Sequence, residues 1–489
     1  MKFTATLGAV AATLALGVNA QGCSQTIVRK EIRNVSPDEW SYYSYALYRM
    51  NKNGWFAWYS SIHDRNAGDI HGVAVFLPWH REFANQFELT ARQFYPYFAL
   101  PYWDAARDFS FPIASPVLTY KYLGGDGNRA NNGCVTNGPQ VGWTMGYPNN
   151  ACLHRRFSNG DGTIPSWQSP EDVTRLIQTS SSFGAFAPGL EGGIHAAVHN
   201  GIGGDMATMW SPNDVAFFLH HANIDRIWWK WQNSRSGNMY SYSGRNSNGS
   251  SAQLSDNIPV FGGSVQSKMV VGQNSYCYSY DDNGSLSKRD DMVPSTNTPV
   301  ISNPQMNLAT ALSYSLLQKY FPLLADSSPA NTNSVDLPNG VSQKATQFAN
   351  AAAKIIEDIV NNSHHASSHS SASASAPSAY AVSLAASSSN ANNSTAVKVP
   401  VVSDTIASST VATANSVNLE APPVAAAANS SSSDLSQLTS NYKMPYPARI
   451  PEHWLTMHGI DLAVYEAEYQ KSIQFVDDLN NAGYVSPYI

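Results

Sequence analysis

Apolar positions recur at helical spacing in several separate runs of this chain. Ser36-Pro37-Asp38-Glu39 reads as a helix start, with Ser36 as the cap, Pro37 in the first turn and Glu39 three residues after the cap. The run onward to Met50 keeps the helical pattern. The stretch WFAWYSSIH (55–63) predicts a second helix. Pro78 suits the first turn of a third, which carries His80, Phe83, Phe87 and Phe94. GIHAAVHNGIGG and NDVAFFLHHANIDRIWWKWQ predict two more, and long loops rich in Gly, Pro and Asn separate them. Further on, helices are predicted at 306–324 and 342–361. Near the end Asp461 can cap a helix whose Leu462, Tyr465, Tyr469, Ile473 and Val476 share one face, with Gly483 as its stop.

The 489 residues are 43% hydrophobic and 11% aromatic, enough to bury a sizeable core. The formal charge of −6 is mild and no basic patch stands out, which argues against nucleic acid as a partner. Residues 1–20 have a positive end at Lys2, a short apolar run from Leu7 to Leu16 and a small-residue site at Val18-Asn19-Ala20, the form of a secretory leader. No later run is long and apolar enough to span a bilayer, so the expectation is a secreted, extracellular protein without a membrane partner. Four cysteines then suggest two disulfides. Of the three pairings, Cys134–Cys152 with Cys23–Cys277 is favoured: the first closes a Gly/Asn/Pro-rich loop and the second ties the mature N-terminus to a distant segment. Glycosylation triplets at Asn34, Asn248, Asn283, Asn361, Asn392, Asn393 and Asn429 fit secretion. The expected organisation is a leader (1–20), an aromatic-rich domain (21–285), a helical extension (286–362), a Ser/Ala-rich linker that cannot bury a core (363–440) and a helical segment that docks on the core (441–489).

Seven of the 13 histidines fall in three motifs: His63, His71 and His80; His195 and His199; His220 and His221. One helical turn apart, His195 and His199 project from one face and can grip one metal. His80 sits among apolar residues, as ligands do in the core of a helical bundle. An all-imidazole set argues against calcium, magnesium and manganese. The Glu-x-x-His motifs of di-iron bundles are absent, and HAAVH has Ala196 where a zinc protease needs Glu. Copper suits such a set. His220 and His221 are about 100° apart on a helix, so both are not expected on one metal, and spacing alone does not choose between them. Asp225, one turn beyond His221, either orients that ring or pairs with an arginine.

HGVAVFLPWHREFANQFE (71–88) and NDVAFFLHHANIDRIWW (213–229) resemble the two copper motifs of the tyrosinase, catechol oxidase and haemocyanin superfamily. The layout from VRKEIRNVSPDEW to YCYSY is similar to a secreted fungal tyrosinase, and the last 45 or so residues resemble the closing segment of such enzymes. The resemblance implies a mainly α fold with a four-helix-bundle dicopper core and long loops, here with a low-complexity C-terminal insert and a terminal helix. It implies two coppers, the first held by His63, His71 and His80, the second by His195, His199 and His221. It also implies oxidation of o-diphenols to o-quinones, two diphenols consuming one O2 and yielding two waters, with O2 and phenols as partners. Phe76, Phe83 and Phe217 would pack the ligands. Glu191, four before His195, matches a family glutamate that holds a base-like water for monophenol hydroxylation, although an acid at a helix start has the same look.

Two departures stand out. Strongly monophenol-active relatives carry Asn or Asp after the first histidine of the second motif, where this chain has Ala196; Asn200, after His199, is the candidate substitute. Asp69 stands where many fungal relatives have a cysteine that forms a thioether to the histidine two residues on. The expectation is therefore catechol oxidation over monophenol hydroxylation. Oxygen carriage without turnover and a structural zinc protein are the competing classes. The family is often made latent, with a C-terminal region over the copper site, and Lys288-Arg289 is the candidate cleavage point for a processing protease.

Overall fold

The computed structural model describes residues 23, 25–160, 162–281, 308, 311–327 and 443–489. The leader, the helix at 342–361, the 363–440 tract and Lys288-Arg289 lie outside these residues. The fold is mainly α. Helix α1 (Pro37–Lys52) starts as its sequence predicts: Ser36 Oγ accepts from the Glu39 N–H at 3.2 Å, and the Glu39 carboxylate accepts from the Ser36 N–H at 3.0 Å. Such a cap contributes about 1 kcal/mol. There follow α2 (Trp55–Arg65), α3 (Ala67–Ile70), α4 (Phe76–Arg92), α5 (Pro170–Thr179), α6 (Phe183–Leu190), α7 (Ala196–Ile202) and α8 (Val215–Ser234).

The core forms where α2, α4, α7 and α8 turn aromatic faces on one another. Tyr59 of α2 meets Phe83 and Phe87 of α4 at 5.2 and 5.4 Å between ring centroids, and Phe218 of α8 at 5.7 Å. Phe87 and Phe218 stack at 3.5 Å. His199 of α7 lies 5.8 Å from Phe217 of α8. Aromatic pairs of this kind add about 0.5–1.5 kcal/mol each beyond the area they bury.

Four short strands among the described residues escape the sequence pattern, being too brief to show a period of two. β1 (Ile27–Arg29) runs parallel to β4 (Tyr278–Tyr280), and Cys23–Cys277 closes beside that pair. β2 (Gly127–Asn128) and β3 (Cys134–Val135) are antiparallel, and Cys134 is bonded to Cys152. Both favoured disulfides are therefore present.

Beyond the core, the described residues of the predicted 306–324 helix include two separate helices, α9 (Tyr314–Tyr320) and α10 (Pro322–Ser327). Pro322 is the reason, since it has no N–H to continue the ladder of α9. At the end of the chain are α11 (Glu452–Met457) and α12 (Leu462–Asn481). Asp461 caps α12, accepting from the N–H groups of Ala463 and Val464 at 2.9 and 3.0 Å. The buried face of α12 is rotated from the predicted one, toward Ser472, Phe475 and Leu479, and Leu462 is left 41% exposed. Arg175 of α5 holds that rotation, donating to Glu468 at 2.6 Å and Ser472 at 3.3 Å. Glu171 of α5 likewise accepts from Tyr484 at 3.0 Å and Ser486 at 2.8 Å.

Candidate metal centre

Two groups of three buried histidines converge: His63, His71 and His80, and His195, His199 and His221. Within each group the ring nitrogens lie within 4.8 Å of one another. His63 comes from α2, His71 from the extended residue after α3, and His80 from the second turn of α4. His199 and His221 come from α7 and α8. His195 closes a widened π-helical turn, Glu191–His195, in which Gly193 leaves helical geometry. The His195 and His199 rings still meet at 4.6 Å. The choice that spacing left open is made by packing: His221 joins the second triad, while His220 Nε2 donates to the His195 carbonyl at 3.2 Å.

The hydrogen bonds of the rings set their tautomers. A backbone carbonyl only accepts, so a ring nitrogen beside one carries the proton. His63 Nδ1 donates to Met209 O at 2.6 Å, His71 to Ala67 O at 3.2 Å, and His80 to Phe76 O at 2.8 Å. His195 Nδ1 donates to Glu191 O at 3.0 Å and His199 Nδ1 to Met206 O at 2.6 Å. Burial keeps the rings neutral, pulling His63 down to about 3 and His199 down to about 4, and pushing the other four well below the usual imidazole range. Their Nε2 atoms, with His221 set aside, are therefore bare lone pairs. His63 Nε2 and His80 Nε2 face each other at 3.4 Å with no proton between them, and His195 Nε2 is buried with no partner. Such groups are costly in an apolar core unless a cation joins them. The donor set thus fits a metal that prefers neutral imidazole, as copper does.

Aromatic rings hold this arrangement. Phe217 stacks on His221 at 4.1 Å, and His221 on His80 at 4.5 Å, so the two triads share a wall. Phe76 lies 4.8 Å from His80 and 4.9 Å from His195, and Phe83 6.0 Å from His63. Glu191 is buried, its Oε1 accepting at 2.8 Å from the N–H of Gly72, the residue after His71. Burial pushes its carboxyl up to about 8, against the pull of that N–H.

Two sequence-predicted roles do not hold. Asn200 is turned away: its Nδ2 donates to Ala196 O at 2.8 Å, and it lines a separate cavity of about 240 Å³ with Trp167, Ala197, Ile450 and Pro451. Neighbouring helical residues point about 100° apart, so His199 facing inward sends Asn200 aside. Asp225 does not reach His221. It accepts from Arg81 at 2.5 Å, Tyr278 at 2.6 Å and Tyr280 at 2.5 Å, the arginine pairing that was the alternative. All four cysteines are in disulfides, so no thioether forms at His71.

Two kinds of contributor to the site carry no local sequence signal. The carbonyls of Met206 and Met209 hold His199 and His63, and no side-chain pattern announces them. Trp454 and His458, at i and i+4 in the segment 443–489, come to rest against the histidines.

A family model described as the common central domain of tyrosinase matches residues 39–234. A tyrosinase-like protein, phomQ1, of Diaporthe leptostromiformis is 33% identical over 259 residues, covering 46% of this chain and 66% of that protein. The chain thus spans just under two thirds of the length of that relative. The tyrosinase of Streptomyces antibioticus is 31% identical over 236 residues, covering 44% of this chain and 85% of that one. Among solved structures, a polyphenol oxidase from Thermothelomyces thermophila is 22% identical with a TM-score of 0.40, covering 52% of this chain and 88% of that one. A functional unit of octopus hemocyanin is 18% identical with a TM-score of 0.41, covering 53% and 69%. The central-domain match runs across every histidine of both triads, and with the Streptomyces enzyme covered over most of its length it shows that the chain belongs to the tyrosinase family of type-3 copper proteins.

Proposed function

We propose that this chain is a secreted copper-dependent phenol oxidase that converts o-diphenols to o-quinones with O2 and hydroxylates monophenols more slowly. His63, His71 and His80 would hold one copper, and His195, His199 and His221 the other. The observation that carries this reading is the pair of bare Nε2 atoms of His63 and His80, facing each other at 3.4 Å in a buried aromatic core. Two disulfides and the N-terminal leader pattern support secretion. Among the described residues no helix is long and apolar enough to cross a membrane.

Bound copper would supply the redox chemistry, taking electrons from the phenol and passing them to O2. The chain's own residues prepare the place. Carbonyls of Met209, Ala67, Phe76, Glu191 and Met206 fix the imidazole orientations through Nδ1. The aromatic shell excludes water. Glu191, buried with its carboxylate bonded to the Gly72 N–H beside His71, would take a phenol proton through a water.

Copper-loaded protein assayed on 4-methylcatechol tests the reading. Turnover with about two coppers per chain supports it. Oxygen binding without turnover would mean a carrier, and a single zinc would mean a structural metal.

Ala196 is fully buried between His195 and His199. The side chain associated with phenol deprotonation is missing there, so catechols should be oxidised much faster than monophenols. Ala196→Asn should raise the ratio of monophenol to catechol turnover. The larger amide must displace a neighbour, so the ratio, rather than either absolute rate, is the readout. An unaltered ratio, or a parent protein that already prefers monophenols, contradicts this.

Cleavage at Lys288-Arg289 remains part of the proposal. A cut there would free 443–489 covalently from 23–281. The contacts of α12 with α5 should nonetheless keep the two together, and mass spectrometry of the purified secreted protein would find both pieces. Loss of the C-terminal piece on purification counts against it.

A further inference from the structure

The segment 443–489 does more than cover the outside of α5. Trp454 of α11 lies 5.9 Å from His195 and 6.0 Å from His199, and His458, the residue that closes α11, lies 4.8 Å from His71 with its ring nearly perpendicular to it. The two side chains stack on each other at 3.5 Å. One aromatic pair therefore spans both triads. No histidine of either triad is more than 2% exposed.

One polar atom of this pair has no protein partner. Trp454 is 1% exposed and its Nε1–H has no acceptor. His458 Nδ1 donates to Trp454 O at 2.9 Å, which leaves its Nε2 an acceptor. A buried donor without a partner is unfavourable by about 1–3 kcal/mol unless a ligand or water meets it. A phenol hydroxyl is both donor and acceptor, and its ring is flat, so it complements an indole N–H, an imidazole nitrogen and their stacked faces.

The core is shaped to receive this segment. A Cβ on Gly72, directly after His71, would fall 2.2 Å from Gly459 O, so the two backbones are in contact and only glycine fits there. Gly192, in the widened turn that ends at His195, packs on Tyr465, where a Cβ would sit at 3.3 Å. Phe475 and Leu479 of α12 are fully buried. A segment docked like a domain core stays docked when the chain elsewhere is cut.

We propose that Trp454 and His458 form the substrate-facing wall of the paired-triad site and determine which phenols it admits. The segment is then a lasting part of the pocket and not a cover to be discarded. The inference rests on the phenol oxidase reading.

Full-length parent protein, Trp454→Ala, Trp454→Phe and His458→Ala would be compared on 4-methylcatechol and the bulkier 4-tert-butylcatechol. The rate at which EDTA strips copper would be measured alongside and needs no turnover. In Trp454→Ala, kcat/KM for the bulky catechol relative to the small one should rise about tenfold, mainly through KM, as a pocket that loses a large side chain discriminates by that order. EDTA should strip copper severalfold faster. Trp454→Phe should fall between, and His458→Ala should raise KM for both catechols. Where Trp454→Ala does not retain copper, Trp454→Phe carries the test by the same criteria. A substrate ratio and a stripping rate indistinguishable from those of the parent overturn the proposal. If the parent itself oxidises neither catechol, the phenol oxidase reading has failed, and the stripping rates alone decide whether this pair walls the site.

Discussion

On the phenol oxidase reading, replacing His221 by alanine should remove about one of the two coppers and abolish catechol oxidation, whereas His220→Ala should keep both coppers and lose only roughly 10–100-fold in activity. The neighbours are equally buried and equally histidine, so composition does not separate them. Their contacts do. His221 closes the second triad and stacks between Phe217 and His80. His220 points elsewhere and donates to the carbonyl of His195. A metal stabilises the charge of a transition state by several kcal/mol. At about 1.4 kcal/mol per decade, losing it lowers the rate by roughly a thousandfold or more. Removing a group that only orients a ligand typically costs about 10–100-fold. Copper content by elemental analysis and turnover on 4-methylcatechol measure both quantities in folded protein. The assignment fails if His221→Ala retains two coppers, or if both variants lose copper equally.

Much of this centre is legible in sequence because helical spacing is itself geometry. His195 and His199 one turn apart must share a face, and the aromatic runs around His63 and His80 mark those helices as buried. The capping box of Ser36 and Glu39 and the cap at Asp461 are likewise local chemistry written in adjacent residues. What was not legible depends on partners distant in the chain. Asp225 stands one turn from His221, which suggested a ligand-orienting role. Its real partners include Arg81, Tyr278 and Tyr280, brought in by β4 and α4. Asn200 follows a metal-site histidine yet points into another cavity, since sequence adjacency on a helix is angular separation in space. Trp454 belongs to a segment that reads as an amphipathic end. Nothing in its own periodicity says that its buried face is opposite two triads. The widened turn before His195 was equally hidden, because consecutive glycines permit a departure from helical geometry without specifying one.

Asp225→Ala should be the most destabilising single change in the helical core, by about 3–5 kcal/mol, because it strands buried arginines without their counter-charge. Burial alone would push the Asp225 carboxyl up, but Arg81 and Arg29, with the phenols of Tyr278 and Tyr280, hold it below the usual carboxylate range. Arg29 is fully buried, 3.6 Å from Asp225 and 2.9 Å from Glu88, and lies over the Tyr278 ring at 3.5 Å. Arg81 is fully buried too, over Trp228 at 3.7 Å, and also donates to the carbonyls of Lys268 and Met269 at 3.1 and 2.7 Å. These remaining bonds position both guanidinium groups but do not neutralise Arg81. At about 2–4 °C per kcal/mol for a domain of this order, the melting midpoint should fall by roughly 10 °C. Asp225→Asn keeps an acceptor and the shape while losing the charge, so its fall should be smaller. The effect should extend to the metal. Arg81 directly follows His80 on α4, and Asp225 lies one turn beyond His221 on α8, so this ion pair clamps together the helices that serve different triads. A loosened clamp should weaken copper retention during dialysis against chelator even at temperatures where the protein is folded. An Asp225→Ala protein that melts within a degree or two of the parent and holds its copper equally well would show that the buried charges are satisfied by the carbonyls and Glu88 alone, and that the clamp does not exist.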